Sequence, residues 1–252
     1  MFFRKIRNEK LIKNNEIKIL TQKIISIYSA KGGVGRTSIA LHLAKYLEKI
    51  KPLLIDLNFS NGPSDISFYL DLPRIPHLSN FIMDIEEPER AFKNCLISPK
   101  LHEFDVIQAP PTIRQSNNIS ISSLITLLDI VKTKYGVIIF DIPDRYDDLI
   151  IHLINTSTNL ILVTTDEPGS VARLKELEDL LFGNPKSTIV FNKYKKGSLI
   201  KVKEMEDYFS KRIVSIGYDD RLSYRMQNKI LRTDESVLFG EGINNLVKTL
   251  ID

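Results

Sequence analysis

The feature that most constrains this chain is a glycine-rich segment at residues 29–38, which reads SAKGGVGRTS. It follows a short apolar run at residues 24–28 and precedes an amphipathic stretch at residues 39–47. That order predicts a strand, a tight turn and a helix, which is the context in which phosphate-binding loops occur.

The residue types in this segment predict a site for a polyphosphate. Glycines let the backbone turn tightly and point successive N–H groups into one concavity, where the dipole of the following helix favours an anion. The Thr37 hydroxyl would contact a Mg²⁺ ion that bridges the phosphates. The alternative is a glycine turn that binds no ligand. That interpretation does not explain why Lys31 and Thr37 both stand where a phosphate site requires them. The predicted ligand-binding residues are Gly32, Gly33, Val34, Gly35, Arg36, Thr37 and Ser38.

The segment departs twice from the common phosphate-loop pattern G-x-x-x-x-G-K-S/T. Ala30 replaces the first glycine, Arg36 replaces the lysine, and Lys31 is an additional cation. With Lys31, the loop resembles the deviant Walker A motif K-G-G-x-G-K-S/T of the ParA/MinD superfamily of ATPases. The resemblance implies ATP or ADP with Mg²⁺ as cofactors, and a face-to-face homodimer in which Lys31 reaches the partner's nucleotide. The planar fork of arginine is larger than an ammonium and differently directed, so we expect nucleotide binding with slow or lost hydrolysis.

Two apolar runs that end in a carboxylate predict strands beside the loop. PLLIDLN carries Asp56 and Asn58 at its end, and VIIFD ends in Asp141. Continuous apolar runs are typical of buried parallel strands, whose carboxyl ends are where ligands bind. In the ParA/MinD resemblance, Asp56 and Asp141 join Thr37 as the residues that hold Mg²⁺.

Asn58 stands where the resembled family has an aspartate that positions or activates the attacking water. An amide can orient water by hydrogen bonding, but it cannot accept a proton. The resemblance therefore makes Lys31 and Asn58 the candidate catalytic residues and implies weak turnover. An asparagine that caps the next turn is an equally good interpretation.

The rest of the chain alternates strands with helices, which predicts an α/β fold with a doubly wound, mostly parallel sheet and helices on both faces. The resemblance makes this a P-loop NTPase of the SIMIBI type, with residues 23–252 as one domain. Predicted helices lie at residues 39–47, 64–70, 77–83, 88–96, 119–131, 170–181, 199–210 and 242–251; predicted strands lie at residues 24–28, 52–58, 104–108, 137–141, 160–165, 188–192 and 213–217. Residues 142–144 would be a switch able to sense the γ-phosphate.

Asn192 ends the predicted strand 188–192. The resembled family carries an asparagine at such a strand end that recognises adenine, which would make Asn192 a nucleotide-binding residue. The alternative is an asparagine that merely terminates the strand.

Composition limits the class of protein. Hydrophobic residues make up 43% and charged residues 26%, as in a globular domain, and Cys95 is the single cysteine, which suits a reducing cytoplasm. Residues 1–22 form a basic leader without the apolar core of a secretory signal. Residues 1–12 combine cations with Phe2, Phe3 and Ile6, so peripheral contact with the inner face of the membrane is one interpretation. A frayed polar leader is the other.

Within the superfamily, the stretches LLIDLNFSNGPSDISFYLDL, HLSNFI and DVIQAPP resemble the CpaE/TadZ branch. That resemblance implies a positioning or assembly factor for pilus or secretion machinery. The alternative is an active ParA- or MinD-type ATPase that acts in septum-site, flagellar or DNA positioning. Lysines and an arginine between residues 193 and 212 could bind DNA nonspecifically, but interleaved acidic residues favour a solvated mixed-charge face.

Overall fold

A sheet of seven parallel strands forms the centre of the protein. The computed structural model describes residues 21–58, 64–116, 119–181, 186–234 and 236–251. Its strands are β1 (Lys23–Tyr28), β2 (Leu53–Asp56), β3 (Asp105–Ile107), β4 (Val137–Asp141), β5 (Asn159–Thr164), β6 (Lys186–Tyr194) and β7 (Ile213–Gly217). They lie in the order β3-β2-β4-β1-β5-β6-β7, and each neighbouring pair is parallel. The predicted doubly wound α/β fold is confirmed.

Helices connect the strands and cover both faces of the sheet. They are α1 (Arg36–Tyr46), α2 (Asp65–Leu70), α3 (Leu78–Met83), α4 (Pro88–Cys95), α5 (Ile113–Ser116), α6 (Ile121–Lys134), α7 (Asp148–Thr156), α8 (Pro168–Leu180), α9 (Val202–Phe209), α10 (Leu222–Gln227) and α11 (Leu238–Ile251). Apolar residues of α3, α4 and α6 to α9 pack on one face, and those of α1, α2, α10 and α11 pack on the other. Every residue of β4 and β5 is buried as a result, which explains why these strands read as uninterrupted apolar runs.

Several predicted elements differ in their bounds from the structure for local reasons. The predicted helix 119–131 is α6, which begins only after Ser120, because the Ser120 hydroxyl accepts the Ser123 N–H at 3.2 Å as an N-cap. The predicted helix 170–181 is α8, which starts at Pro168, a residue that suits the first turn. Helices α5, α7 and α10 had no counterpart among the predicted elements. The predicted membrane contact of residues 1–12 lies outside the described residues.

Strand order brings the predicted site residues together at one edge. β4 lies between β1 and β2, and Asp141 is the register partner of Ile27 on β1 and of Asp56 on β2. The carboxyl ends of these strands therefore meet beside the loop that follows β1. From β1 the chain passes to β2 and β3 on one side, returns to β4 next to β1, and continues to β5, β6 and β7 on the other side. The change of side occurs at β1, and α/β sheets bind ligands at such topological switch points.

Candidate functional site

The glycine-rich loop between β1 and α1 has a conformation that requires its glycines. Gly33 has a φ of 75° and Gly35 a φ of 97°, in the left-handed region that side chains with a Cβ disfavour. Gly35 is the N-cap of α1, and no described side chain caps this end. The first N–H groups of α1 are therefore open to an anion. Val34 is buried, so it fixes the middle of the loop against the protein. Gly32 and Gly33 form the tip of the loop and are exposed to solvent.

Thr37, Asp56 and Asp141 converge at the start of α1. The Thr37 hydroxyl donates to Asp141 Oδ2 at 2.6 Å. Asp56 accepts the backbone N–H of Asn58 at 2.9 Å and also the Ser64 hydroxyl. The predicted metal-site residues are thus neighbours, although the chain separates Thr37 from Asp141 by 104 positions.

Burial sets the electrostatics of the two carboxylates. Asp56 and Asp141 are 1% and 2% exposed. Burial raises the pKa of both carboxyls above the ordinary aspartate value, and the charge of Asp56 raises the pKa of Asp141 further. Hydrogen bonds from Ser64 to Asp56 and from Thr37 to Asp141 act in the opposite direction.

These donors fit Mg²⁺. The ion prefers oxygen ligands and usually combines one or two carboxylates with phosphates and water. Two adjacent buried carboxylates and a hydroxyl provide such a partial set. Among the described residues, no group of three or more His, Cys, Asp or Glu side chains could hold a metal by itself.

Arg36, at the position of the usual lysine, is paired within the chain. Its Nη2 lies 3.2 Å from Asp144 Oδ1, and its side chain is 10% exposed. The other terminal nitrogen, Nη1, is buried and has no hydrogen-bond partner among the described residues. A buried guanidinium with unused donors fits a phosphate.

Lys31 also contacts a carboxylate of its own chain. Its ammonium forms an ion pair with Glu167, the residue that precedes α8. Both side chains are partly exposed, at 38% and 48%. The predicted reach of Lys31 to a partner's nucleotide therefore requires this pair to open.

Asn58, a candidate catalytic residue, is bonded to the site through its backbone. Its backbone N–H bonds to Asp56, but its Oδ1 atom is buried with no hydrogen-bond partner among the described residues. The turn that it would cap, at residues 59–63, lies outside those residues. A buried amide oxygen without a described partner is able to accept a hydrogen bond from a water molecule.

Asn192 and Lys193 support the loop from the end of β6. Asn192 Nδ2 donates to the Val34 carbonyl at 2.7 Å, and Lys193 Nζ donates to the Gly33 carbonyl at 2.7 Å. The Asn192 Oδ1 atom is buried and has no partner among the described residues. A free acceptor at this position fits the exocyclic amine of adenine. The alternative that Asn192 terminates its strand is wrong, because β6 continues to Tyr194, and the Asn192 side chain instead bonds to the loop.

Sequence reasoning missed several contacts at this site. Glu167 had no role, Lys193 counted only as part of a basic segment, and Asp144 was placed in the switch without its partner Arg36. The available signal was positional: Asp144 and Glu167 each follow a buried strand at the edge where the loop lies.

Most described lysines of the basic segment 193–212 have local partners. Lys203 pairs with Asp207 at 2.9 Å, Lys211 pairs with Glu178, and Lys201 donates to the Ser198 carbonyl at 2.7 Å. This arrangement agrees with a mixed-charge surface better than with a stripe of cations for DNA. Separately, no helix within the described ranges is long and apolar enough to cross a membrane.

Known proteins share this sequence pattern and this fold. A family model described as an AAA domain matches residues 22–181, more than half of the chain. The septum site-determining protein MinD of Synechocystis is 24% identical over 216 residues, which span 82% of this chain and 80% of that protein.

Two solved structures resemble the fold. The MinD protein from Pyrococcus horikoshii, complexed with Mg-ADP, is 17% identical with a TM-score of 0.77; the match covers 91% of this chain and 96% of that one. A ParA family ATPase from Chlorobium tepidum is 22% identical with a TM-score of 0.77, and the match covers 89% and 97% of the two chains.

Proposed function

Because this chain belongs to the ParA/MinD superfamily of P-loop ATPases, we propose that it binds ATP with Mg²⁺ and acts as a positioning or assembly factor with weak or absent hydrolysis. In this proposal the nucleotide acts as a clamp: it stabilises the contact between two protomers and is not rapidly hydrolysed. The loop residues 32–38 hold the phosphates, Thr37, Asp56 and Asp141 hold the metal ion, and Asn192 holds the adenine. The bound Mg²⁺ would neutralise phosphate charge and orient the terminal phosphoryl group.

One feature of the candidate site supports the proposal: its loop and oxygen ligands suit a nucleotide and its ion, whereas the two positions that the proposal assigns to hydrolysis hold an arginine and an asparagine. The loop conformation and the Thr37–Asp141 contact suit a nucleotide and its ion. Arg36, in place of the lysine, is held by Asp144. Asn58, in place of an aspartate, has an amide that cannot take a proton from water. Binding without efficient turnover is the function that this combination supports best.

Dimerisation follows from the proposed role of Lys31. Two nucleotides between facing protomers would place phosphate charge against Lys31 of the opposite chain. A ligand that binds the dimer better than the monomer shifts the equilibrium towards the dimer by mass action. We therefore propose an ATP-dependent homodimer.

The cellular process is proposed from sequence resemblance. The middle of the chain is similar to CpaE/TadZ proteins, so the proposed partners are pilus or secretion components. We place the protein in the cytoplasm, with a peripheral membrane contact through residues 1–12 as an additional proposal.

The test measures phosphate release and mass in solution on the same samples. We expect wild-type protein with ATP and Mg²⁺ to form dimers, seen by light scattering, while it releases phosphate slowly. Arg36→Lys combined with Asn58→Asp should raise turnover by about tenfold or more, because a proton acceptor and a compact ammonium return to the site. Asn58→Gln is the matched control, which keeps an amide and should remain slow. Rapid turnover by the wild type would refute the clamp.

The second candidate is an active ATPase that cycles in septum-site, flagellar or DNA positioning. The Asn58 Oδ1 atom, which has no hydrogen-bond partner among the described residues, favours it, since an amide alone orients the attacking water in some GTPases. In this case wild-type turnover would be rapid, and Asn58→Asp would leave the rate unchanged or lower it.

A further inference from the structure

Asp144 lies against the phosphate loop and not merely near it. Its Oδ1 atom accepts from Arg36 at 3.2 Å. Its Oδ2 atom lies 3.0 Å from the position that a Cβ atom on Gly32 would occupy. The carboxylate therefore spans the loop from Gly32, at the exposed tip, to Arg36, at the first residue of α1.

Both cations of the loop are occupied by carboxylates of the same chain. Arg36 is held by Asp144, and Lys31 is held by Glu167. The two pairs differ in burial: the side chains of Arg36 and Asp144 are 10% and 36% exposed, whereas those of Lys31 and Glu167 are 38% and 48% exposed. Solvent screens the Lys31 pair more strongly, so Asp144 is the carboxylate with the greater influence on an incoming anion.

The position of Asp144 corresponds to one end of a bound nucleotide. Asn192, the candidate adenine ligand, contacts Val34 and lies against Gly35. Asp144 contacts the loop at Gly32, which Asn192 does not contact, and at Arg36, and it follows the metal-site carboxylate Asp141 by three residues. With the base beside Asn192, the terminal phosphate of a triphosphate would be the part of the ligand that meets Asp144.

A carboxylate and a phosphate cannot share this place without repulsion. Both are anions, and both are ligands for one guanidinium. The Nη1 atom of Arg36 is buried and has no partner among the described residues. A phosphate that replaced the carboxylate could therefore accept hydrogen bonds from both terminal nitrogens of Arg36. Hydrogen bonds hold the backbone on both sides of Asp144, but its side chain is 36% exposed, so the carboxylate can turn towards solvent without a change in the backbone. The Ile142 N–H donates to the Ile27 carbonyl at 3.1 Å, and Asp147 caps α7 through the Ile150 N–H at 3.0 Å.

We propose that Asp144 occupies the place of the terminal phosphate in the nucleotide-free protein and thereby determines how strongly the site prefers a triphosphate to a diphosphate. Binding of ATP displaces this carboxylate from Arg36, whereas ADP leaves the pair closed. The inference rests on the proposed function, since it assumes that the loop binds a nucleotide. Beyond that function, it assigns to Asp144 the discrimination between a nucleoside triphosphate and a nucleoside diphosphate.

The test compares Asp144→Asn with wild type by calorimetry, using Mg²⁺ with a non-hydrolysable ATP analogue and, separately, with ADP. Asparagine keeps the shape and removes the charge. We expect the variant to bind the ATP analogue about tenfold more tightly, which corresponds to about 1.4 kcal/mol, and to bind ADP as the wild type does. Asp148→Asn removes the same charge from an exposed site in the first turn of α7 and should change neither affinity.

Thermal unfolding provides a second readout. Without nucleotide, Asp144→Asn should melt at a lower temperature than wild type, because Arg36 loses its anion. With the ATP analogue, the variant should gain more in melting temperature than the wild type does. A purely structural role for Asp144 would lower both melting temperatures equally and would overturn the proposal.

The remaining outcomes separate this inference from the proposed function. Equal or weaker binding of the ATP analogue by Asp144→Asn, with wild type still binding, would overturn the role of Asp144 alone. An equal gain for ATP and ADP would overturn the selection by phosphate number. If neither nucleotide binds to either protein, the proposed function itself fails.

Discussion

The side-chain amide of Asn192 donates a 2.7 Å hydrogen bond to the carbonyl of Val34, a residue 158 positions earlier in the chain. This bond joins the end of β6 to the glycine-rich loop after β1. Gly35 lies next to this hydrogen bond, and a Cβ atom at Gly35 would overlap the Asn192 amide nitrogen. The loop conformation therefore depends on a contact between two strand ends as well as on its own glycines.

Gly35→Ala should destabilise the protein more than Gly33→Ala. Both positions have a left-handed backbone, so each substitution should lower the free energy of unfolding by about 1 kcal/mol through strain. At Gly33 the space around a new Cβ is open, whereas at Gly35 the Cβ would also displace Asn192. Urea denaturation of the two variants measures the difference. Equal losses would mean that Asn192 does not constrain the loop.

Asn192→Ala should weaken nucleotide binding by about tenfold and lower the free energy of unfolding by about 1 kcal/mol, since the Val34 carbonyl loses its donor. Asn159 offers a matched control, because it is also a buried asparagine but lies at the opposite, amino-terminal end of a strand. Asn159→Ala should reduce stability and leave nucleotide affinity unchanged. Calorimetry together with denaturation distinguishes the two effects, and an equal loss of affinity in both variants would exclude a local role for Asn192.

Asp141 should make the metal-free protein less stable as the pH rises. Burial and the charge of Asp56 raise the pKa of Asp141 above the ordinary value of 3.8, so the folded state holds this proton more tightly than the unfolded state. The resulting stability is present below pH 3.8 and is lost as the pH rises towards neutrality.

In urea denaturation with a chelator, Asp141→Asn should therefore gain stability relative to wild type between about pH 5 and about pH 8, by more than about 1 kcal/mol. Asp129→Asn, on an exposed face of α6, is the charge-matched control and should follow the wild-type profile. A difference between Asp141→Asn and wild type that is independent of pH would contradict the assignment.

Glu167→Gln should favour the ATP-dependent dimer. The substitution frees Lys31 from its partner within the chain and makes it available to the opposite protomer. The pair is partly exposed, and such pairs contribute less than about 1 kcal/mol. We therefore expect the dissociation constant of the dimer to fall by roughly two- to fivefold. Sedimentation at several protein concentrations measures this constant. Glu176→Gln, elsewhere on α8 and exposed, should have no effect, and a weaker dimer in Glu167→Gln would indicate that Glu167 assists the interface.

Local patterns in the sequence determined the fold and the composition of the candidate site. The apolar runs of β4 and β5, the glycines of the loop and the carboxylate at the end of β4 can each be recognised from a few neighbouring residues. They can because hydrophobic periodicity, left-handed φ angles and the position of a polar residue after a strand are properties of short segments. Helices α5 and α10 were missed because they have only four and six residues. Helix α7 was missed although its N-cap Asp147 and its apolar residues at helical spacing are visible in the sequence.

Only the tertiary structure decided which side chains the loop contacts. Arg36 meets Asp144 across 108 positions, Lys31 meets Glu167 across 136, and Gly33 meets Lys193 across 160. No residue near Arg36 in the sequence indicates that it pairs with a carboxylate. From the sequence alone, a cation at this position is interpreted as a phosphate ligand. These partners depend on the order of the strands in the sheet, which brings the ends of β4, β5 and β6 to the loop after β1. Strand order results from packing over the whole domain, so no short segment encodes it.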